Sequence, residues 1–187
     1  MAMKHSLRDY IKVYNIIPKK LCESTLKQLD SLDLWQKHAF YEYRADKELA
    51  LSGDDELDVC HVHSKAMMDL TWKSISNYVT ELNFPWFAGW NGHTELRFNR
   101  YSKNQTMAIH CDHINSMFDG NTKGIPTLSI VGLLNDDFTG GDFIMFDDEK
   151  IPLVQGDIML FPSNFLYPHL VSPMISGTRN SFVSWVW

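Results

Sequence analysis

At 187 residues, 44% of them hydrophobic, the chain is long enough for one substantial core and short for two, so a single domain over residues 1–187 is expected. Its formal charge of −6 is scattered rather than blocked and offers no basic surface to nucleic acid or an anionic membrane; three widely spaced cysteines, Cys22, Cys60 and Cys111, argue for free thiols rather than a disulfide framework or a zinc ribbon. No apolar run approaches about 18 residues, and no apolar stretch with a small-residue cleavage site opens the chain, which predicts a soluble, cytoplasmic protein.

In chain order, "YIKVYNII" reads as a strand. "PKKLCESTLKQLDSL" follows, with Pro18 at a helix start and Cys22, Leu26 and Leu29 on one face, a helix of about three turns. Residues 45–60, "ADKELALSGDDELDVC", are polar and acidic with a glycine, the composition of an exposed loop. "SKAMMDLTWKSISNYVTEL" spaces Met68, Trp72, Ile75, Val79 and Leu82 by fours and threes, a second and longer helix that "NFPWF" ends. From residue 93 onward the chain turns to short β-rich runs: "TELRFNRY", "TMAIHCD", "TLSIVGLL", "DFIMF", "DIMLF", "HLVS" and "RNSFVSWVW". Their spacing predicts an antiparallel sandwich or barrel. The fold class expected is therefore α+β: residues 1–92 as a helical and mixed support region, residues 93–187 as a β core, and the helices packed outside it.

One cluster on this β framework carries chemistry. If "TMAIHCD" is a strand, His110 and Asp112 project from one face while Cys111 points to the other. Two such ligands with a distant third histidine make the 2-His-1-carboxylate set that holds Fe(II) and leaves positions open. Past His113, His169 is the sole histidine downstream. His113 itself is set aside, because a fourth ligand would occupy a position the chemistry needs. In the last run, alternation puts Arg179, Ser181, Val183 and Trp185 on one face. A buried arginine there asks for an anionic partner, and its planar fork suits a carboxylate. Plainer readings exist for each residue: surface strand polars, a hydrogen-bonded core histidine, an ordinary ion-pair arginine. "CHVH", with Cys60, His61 and His63, has ligand types but no matching second pair, so a structural zinc ranks low. "GGDF" lacks the helix and lysine of a phosphate loop and reads as a hairpin turn.

These residues occur in a recognisable order: Tyr101, "HCD", "LLNDD", "TGGDFIMF", "QGDIMLFPS", "PHLV", "SGTR" and "SFVSW". Residues 94–187 so ordered resemble the core of the Fe(II)- and 2-oxoglutarate-dependent dioxygenases, nearest the prolyl 4-hydroxylase-like group, and "NIIPKKLCESTLKQL" is loosely similar to the start of such enzymes. The resemblance implies a double-stranded β-helix, or jelly roll, with two or more N-terminal helices outside it. It implies His110, Asp112 and His169 as iron ligands, Arg179 as partner of the 2-oxoglutarate C5 carboxylate and Tyr101 as hydrogen-bond donor to the same group. The implied cofactors are Fe(II), 2-oxoglutarate as cosubstrate and O2, with ascorbate an optional addition. Three positions depart from the family pattern. Asn104 stands where glycine is common, which a left-handed backbone allows, while Leu133 and Val183 replace polar residues near the cosubstrate.

The implied activity is hydroxylation of an unactivated C–H bond, first a prolyl residue of a peptide or protein, with release of succinate and CO2. Other readings follow it: a free amino acid or other small molecule as substrate, a nucleic-acid demethylase of the same superfamily, and a non-catalytic cupin-like metal- or ligand-binding module. The demethylases usually carry a second arginine where this chain has Trp185, and cupins a His-x-His where it has His-x-Asp. The expected partners are a peptide, protein or small-molecule substrate, without membrane and with nucleic acid ranked low. Residues 45–60 and 113–126 are expected to shield the site as lids.

Overall fold

The computed structural model describes residues 6–43, 49–112 and 125–186. A 3-10 turn at Leu7–Tyr10 leads into β1 (Lys12–Asn15), α1 (Lys19–Asp30), β2 (Gln36–Tyr43), β3 (Leu49–His61) and α2 (Lys65–Leu82). Then come β4 (Arg97–Tyr101), β5 (Met107–His110), β6 (Leu128–Leu133), β7 (Thr139–Gly140) and β8 (Phe143–Met145). β9 (Glu149–Ile151), β10 (Asp157–Pro162), β11 (His169–Val171), β12 (Met174–Ser176) and β13 (Arg179–Val186) complete the chain. The strands form a seven-stranded sheet in the order β1-β10-β6-β13-β4-β3-β2, a four-stranded sheet β5-β11-β8-β9 and the pair β12-β7. Every pairing is antiparallel.

The large sheet has apolar residues on both faces, and strand alternation sorts them into two cores. Ile158 and Leu160 of β10, Ile130 of β6, Phe98 of β4 and Phe182 of β13 join Cys22 and Leu29 of α1 and Met67 and Ile75 of α2. The intervening residues, Met159 and Phe161 of β10, Val131 of β6 and Tyr101 of β4, join Phe143, Met145 and Val171 of the small sheet. β6 is buried at every residue, which is why "TLSIVGLL" shows a continuous apolar run. Helices on one face and a second sheet on the other give the jelly-roll arrangement anticipated above.

Two expectations fail in the N-terminal half. Residues 49–60 are not a loop: they lie in β3, which pairs with β2 and, through Val59↔Asn99 and Cys60↔Phe98, with β4. The acidic composition hid a period of two in which Leu57 and Val59 face the inter-sheet core, while Asp58 is matched by Lys37 and Arg100, each 3.5 Å away. The large sheet takes three of its seven strands, β1, β2 and β3, from residues before 92. The expected lid residues 45–48 and 113–124, including His113, lie outside the described residues.

The second correction concerns α2. Its buried stripe is Met67, Thr71, Ser74, Ile75 and Tyr78, rotated by about one residue from the expected one, and Trp72 is 38% exposed. The polar members are tolerated because each is satisfied: Thr71 Oγ1 donates to the Met67 carbonyl (2.9 Å) and Ser74 Oγ to that of Thr71 (2.7 Å). Tyr78 Oη donates to the Tyr10 carbonyl at 2.9 Å.

Candidate metal centre

His110, Asp112 and His169 come together between the two sheets, with one potential ligand atom of each within 4.8 Å of the others. β5 and β11 pair so that His110 and His169 are direct cross-strand partners, their rings 4.3 Å apart. Asp112 reaches them by a different route from the one expected. β5 ends at His110, and Asp112 sits in the turn beyond it, where Ser129 Oγ of β6 donates to its Oδ2 at 2.5 Å. Strand alternation therefore does not orient Asp112; a serine on the opposite sheet does.

The histidine tautomers follow from their neighbours. Nδ1 of His110 lies 2.8 Å from the Ala108 carbonyl and Nδ1 of His169 3.1 Å from that of Tyr167, so each Nδ1 carries the proton and donates it. Both Nε2 atoms are then bare lone pairs, and both face Asp112 Oδ1, at 3.5 and 3.8 Å. Three electron-pair donors aimed at one point fit a cation between them, and this nitrogen–nitrogen–oxygen set is the one Fe(II) takes in facial triads. Burial by itself would raise the Asp112 carboxyl, but His110 and His169 in their protonated forms, with the Ser129 hydroxyl, outweigh it and hold the group well below the usual carboxylate range. Burial pushes His169 down, against the pull of Asp112. Asp112 and His169 are thus both biased toward the deprotonated form that a metal ion would need.

Arg179, 2% exposed, stands opposite Tyr101 across β13 and β4. One of its terminal nitrogens donates to Ser181 Oγ at 2.8 Å, and its guanidinium carbon lies 5.2 Å from the Tyr101 ring centre. Among the described residues no carboxylate pairs with it, so a buried cation retains donors for an anion. Gly141 makes room for it: a Cβ there would lie 2.3 Å from Met174 Sδ and 3.1 Å from Arg179 Cδ. "GGDF" is accordingly not a hairpin turn. Gly140 pairs with β12, and both glycines are left-handed (φ 77° and 63°).

One pocket holds all five expected residues, His110, Asp112, His169, Arg179 and Tyr101, with Ser181, Val183 and Trp185 along β13. Asn104 adopts φ 70°, the left-handed conformation its place required. Leu133 is buried beside Ser181 and Val183 lines the pocket, leaving those stretches apolar. The Cys60–His63 group does not assemble: Cys60 packs toward the helices and His63 lies beside Glu95 at 3.2 Å. Sequence reading missed Arg97, Asn99 and Ser129. The first two were readable, since Arg97, Asn99 and Tyr101 alternate in "ELRFNRY" as Arg179 and Ser181 do in the last strand. Ser129 carried no local signal.

Residues 96–187 match the profile of the 2OG-Fe(II) oxygenase superfamily. Over these residues the chain is similar to that superfamily. Over 95 residues, 49% of this chain and 41% of the relative, it is 34% identical to a PKHD-type hydroxylase of Idiomarina loihiensis, so it spans less than half the length of that protein. Two solved structures share the fold over nearly the whole chain. A Trichoplax adhaerens prolyl hydroxylase in complex with a hypoxia inducible factor peptide fragment gives a TM-score of 0.71 at 13% identity, covering 95% of this chain and 83% of its own. A Pseudomonas putida prolyl-4-hydroxylase gives 0.63 at 19%, covering 96% and 95%. The 2OG-Fe(II) oxygenases imply Fe(II), 2-oxoglutarate and O2, and the donor set and buried arginine described above fit the first two. Among the described residues no helix is long and apolar enough to cross a membrane.

Proposed function

We propose that the protein is an Fe(II)- and 2-oxoglutarate-dependent hydroxylase acting on an unactivated C–H bond, first a prolyl residue of a peptide or protein, and releasing succinate and CO2. The observation that carries this is the convergence of two histidine Nε2 lone pairs and a carboxylate oxygen in a pocket that also holds a buried arginine with no carboxylate partner among the described residues. His110, Asp112 and His169 would hold the iron. Arg179, steadied by Ser181, would take the C5 carboxylate of 2-oxoglutarate, with Tyr101 donating to the same group. When bound, iron, 2-oxoglutarate and O2 supply the oxidation. The chain supplies placement: apolar Val131, Phe143 and Val171 wall the pocket and keep water from the reacting atoms. The prolyl assignment draws on the solved relatives described as prolyl hydroxylases. A single domain over residues 1–187 is part of the same proposal.

The test is succinate release from 2-oxoglutarate with added Fe(II), compared with Asp112→Ala. Wild type should bind 2-oxoglutarate and release succinate, and the variant should lose iron binding and turnover together. A wild type that neither binds 2-oxoglutarate nor forms succinate would sink the reading. Mass spectrometry for +16 Da products from peptide and metabolite pools would then identify the substrate.

A further inference from the structure

The pocket contains a second guanidinium that neither iron nor 2-oxoglutarate accounts for. Arg97, on the inner face of β4, lines it together with His110, Asp112 and Trp185. Its Nε donates to Asn99 Oδ1 at 3.2 Å, a terminal nitrogen lies 3.4 Å from His38 Nε2, and its guanidinium carbon sits 5.1 Å from the Trp185 ring centre. These contacts fix the plane of the fork and leave donors unused. Among the described residues no carboxylate pairs with Arg97. Asp112, whose charge reaches it, is already engaged by Ser129 and the two histidines.

Register says what these donors are not for. Arg97 is opposite Val183 and Arg179 opposite Tyr101, four residues apart along β13, or about 13 Å of extended strand. With the C5 carboxylate of 2-oxoglutarate placed at Arg179, Arg97 enters the same pocket from a backbone position a strand's length away. Arg97 therefore faces the part of the pocket left to the substrate, where it and Trp185 make a flat cationic corner beside the metal ligands.

We propose that Arg97 binds a carboxylate of the substrate, so that the protein selects molecules bearing a carboxylate close to the C–H bond it hydroxylates. This rests on the hydroxylase reading above and narrows it. The carboxylate has two sources: the free C-terminal group of a prolyl compound, or an acidic side chain next to a prolyl residue within a peptide.

The iron- and 2-oxoglutarate-loaded protein is assayed for substrate-driven succinate and +16 Da product with four probes. N-acetyl-L-proline is set against N-acetyl-L-prolinamide, and an N- and C-capped Glu-Pro-Gly peptide against capped Gln-Pro-Gly. In at least one pair the carboxylate member should have a KM about tenfold or more below its amide, and which pair responds identifies the source. Arg97→Gln should raise the KM of the carboxylate probe about tenfold or more while moving that of its amide by about twofold at most, and Arg97→Lys should restore part of the difference. Equal KM values within both pairs, an equal rise for carboxylate and amide in Arg97→Gln, or no response to any probe would overturn the proposal. Anaerobic 2-oxoglutarate binding separates the failures. If wild type binds it and the pattern is absent, the inference alone fails; if wild type does not bind it, the hydroxylase reading fails and the inference with it. Should Arg97→Gln itself lose 2-oxoglutarate binding while staying folded, Arg97 serves the cosubstrate and the proposal is overturned.

Discussion

Single side chains set the chemistry here through their second atoms. The carbonyls of Ala108 and Tyr167 decide which ring nitrogen of each histidine is bare, and Ser129 decides where the Asp112 carboxylate points. Removing that hydroxyl leaves Asp112 its charge but not its aim. Ser129→Ala should weaken Fe(II) binding about tenfold or more, as loss of an outer hydrogen bond to a ligand typically does; an anaerobic metal titration reads it, and unchanged affinity would deny Ser129 this role. Arg179→Gln should raise the KM for 2-oxoglutarate by about 10- to 100-fold, the equivalent of a charge-assisted hydrogen bond of about 1.5–3 kcal/mol. A change of less than about twofold would place the C5 carboxylate elsewhere.

Among the elements, β6 is the one on which both cores depend. It lies between β10 and β13, sends Ile130 toward the helices and Val131 toward the small sheet, and carries Ser129 to Asp112. Its glycine is a packing requirement: a Cβ at Gly132 would fall 2.0 Å from the Phe182 ring, which is itself fully buried and set against Phe98 at 6.1 Å. The ring has nowhere to go, so Gly132→Ala should cost about 1–3 kcal/mol by overpacking. Urea unfolding measures it, and a midpoint equal to wild type would show the core softer than it is drawn. The same element shows why order along the chain was so informative: β6, β10 and β13 are contiguous in the sheet but separated in sequence, so the motif order reports the topology.

For the molecule as a whole, buried histidines govern the response to pH. His38 is pushed down to about 4, first by burial and then by Arg97 and His110, and burial also lowers His93 and His169. An unfolded histidine protonates near about 6.5, so between that value and the lowered folded ones the unfolded chain holds the extra protons and stability falls with falling pH. Asp112 acts lower: its depressed carboxyl contributes fully above its unfolded value of 3.8 and loses that contribution only below it. With metal chelated, the urea midpoint should drop from pH 7 to pH 4.5, with His38 responsible for about 1–2 kcal/mol once its partial exposure is allowed for. His38→Gln should flatten the profile, whereas a midpoint that rises as pH falls would contradict it.

The sequence by itself determined the β framework after residue 93, α1 and its buried face and the left-handed Asn104, and it singled out His110, Asp112, His169 and Arg179, which the structure gathers in one pocket. Those features rest on local rules: strand alternation, helix period, the backbone tolerance of asparagine, and a histidine count that left His169 alone. Its order of short motifs also carried the superfamily. Tertiary structure decided the rest. β3 looked like an acidic loop because Asp58 is matched across strands, by Lys37 and Arg100, rather than along the chain. The buried face of α2 turned on whether Thr71 and Ser74 could satisfy themselves within the helix. Ser129 lies 17 residues from Asp112 and Arg97 lies 86 positions before Val183. Contacts of that span are made by sheet register, which no local pattern encodes, and they complete the pocket around the two histidines and the aspartate.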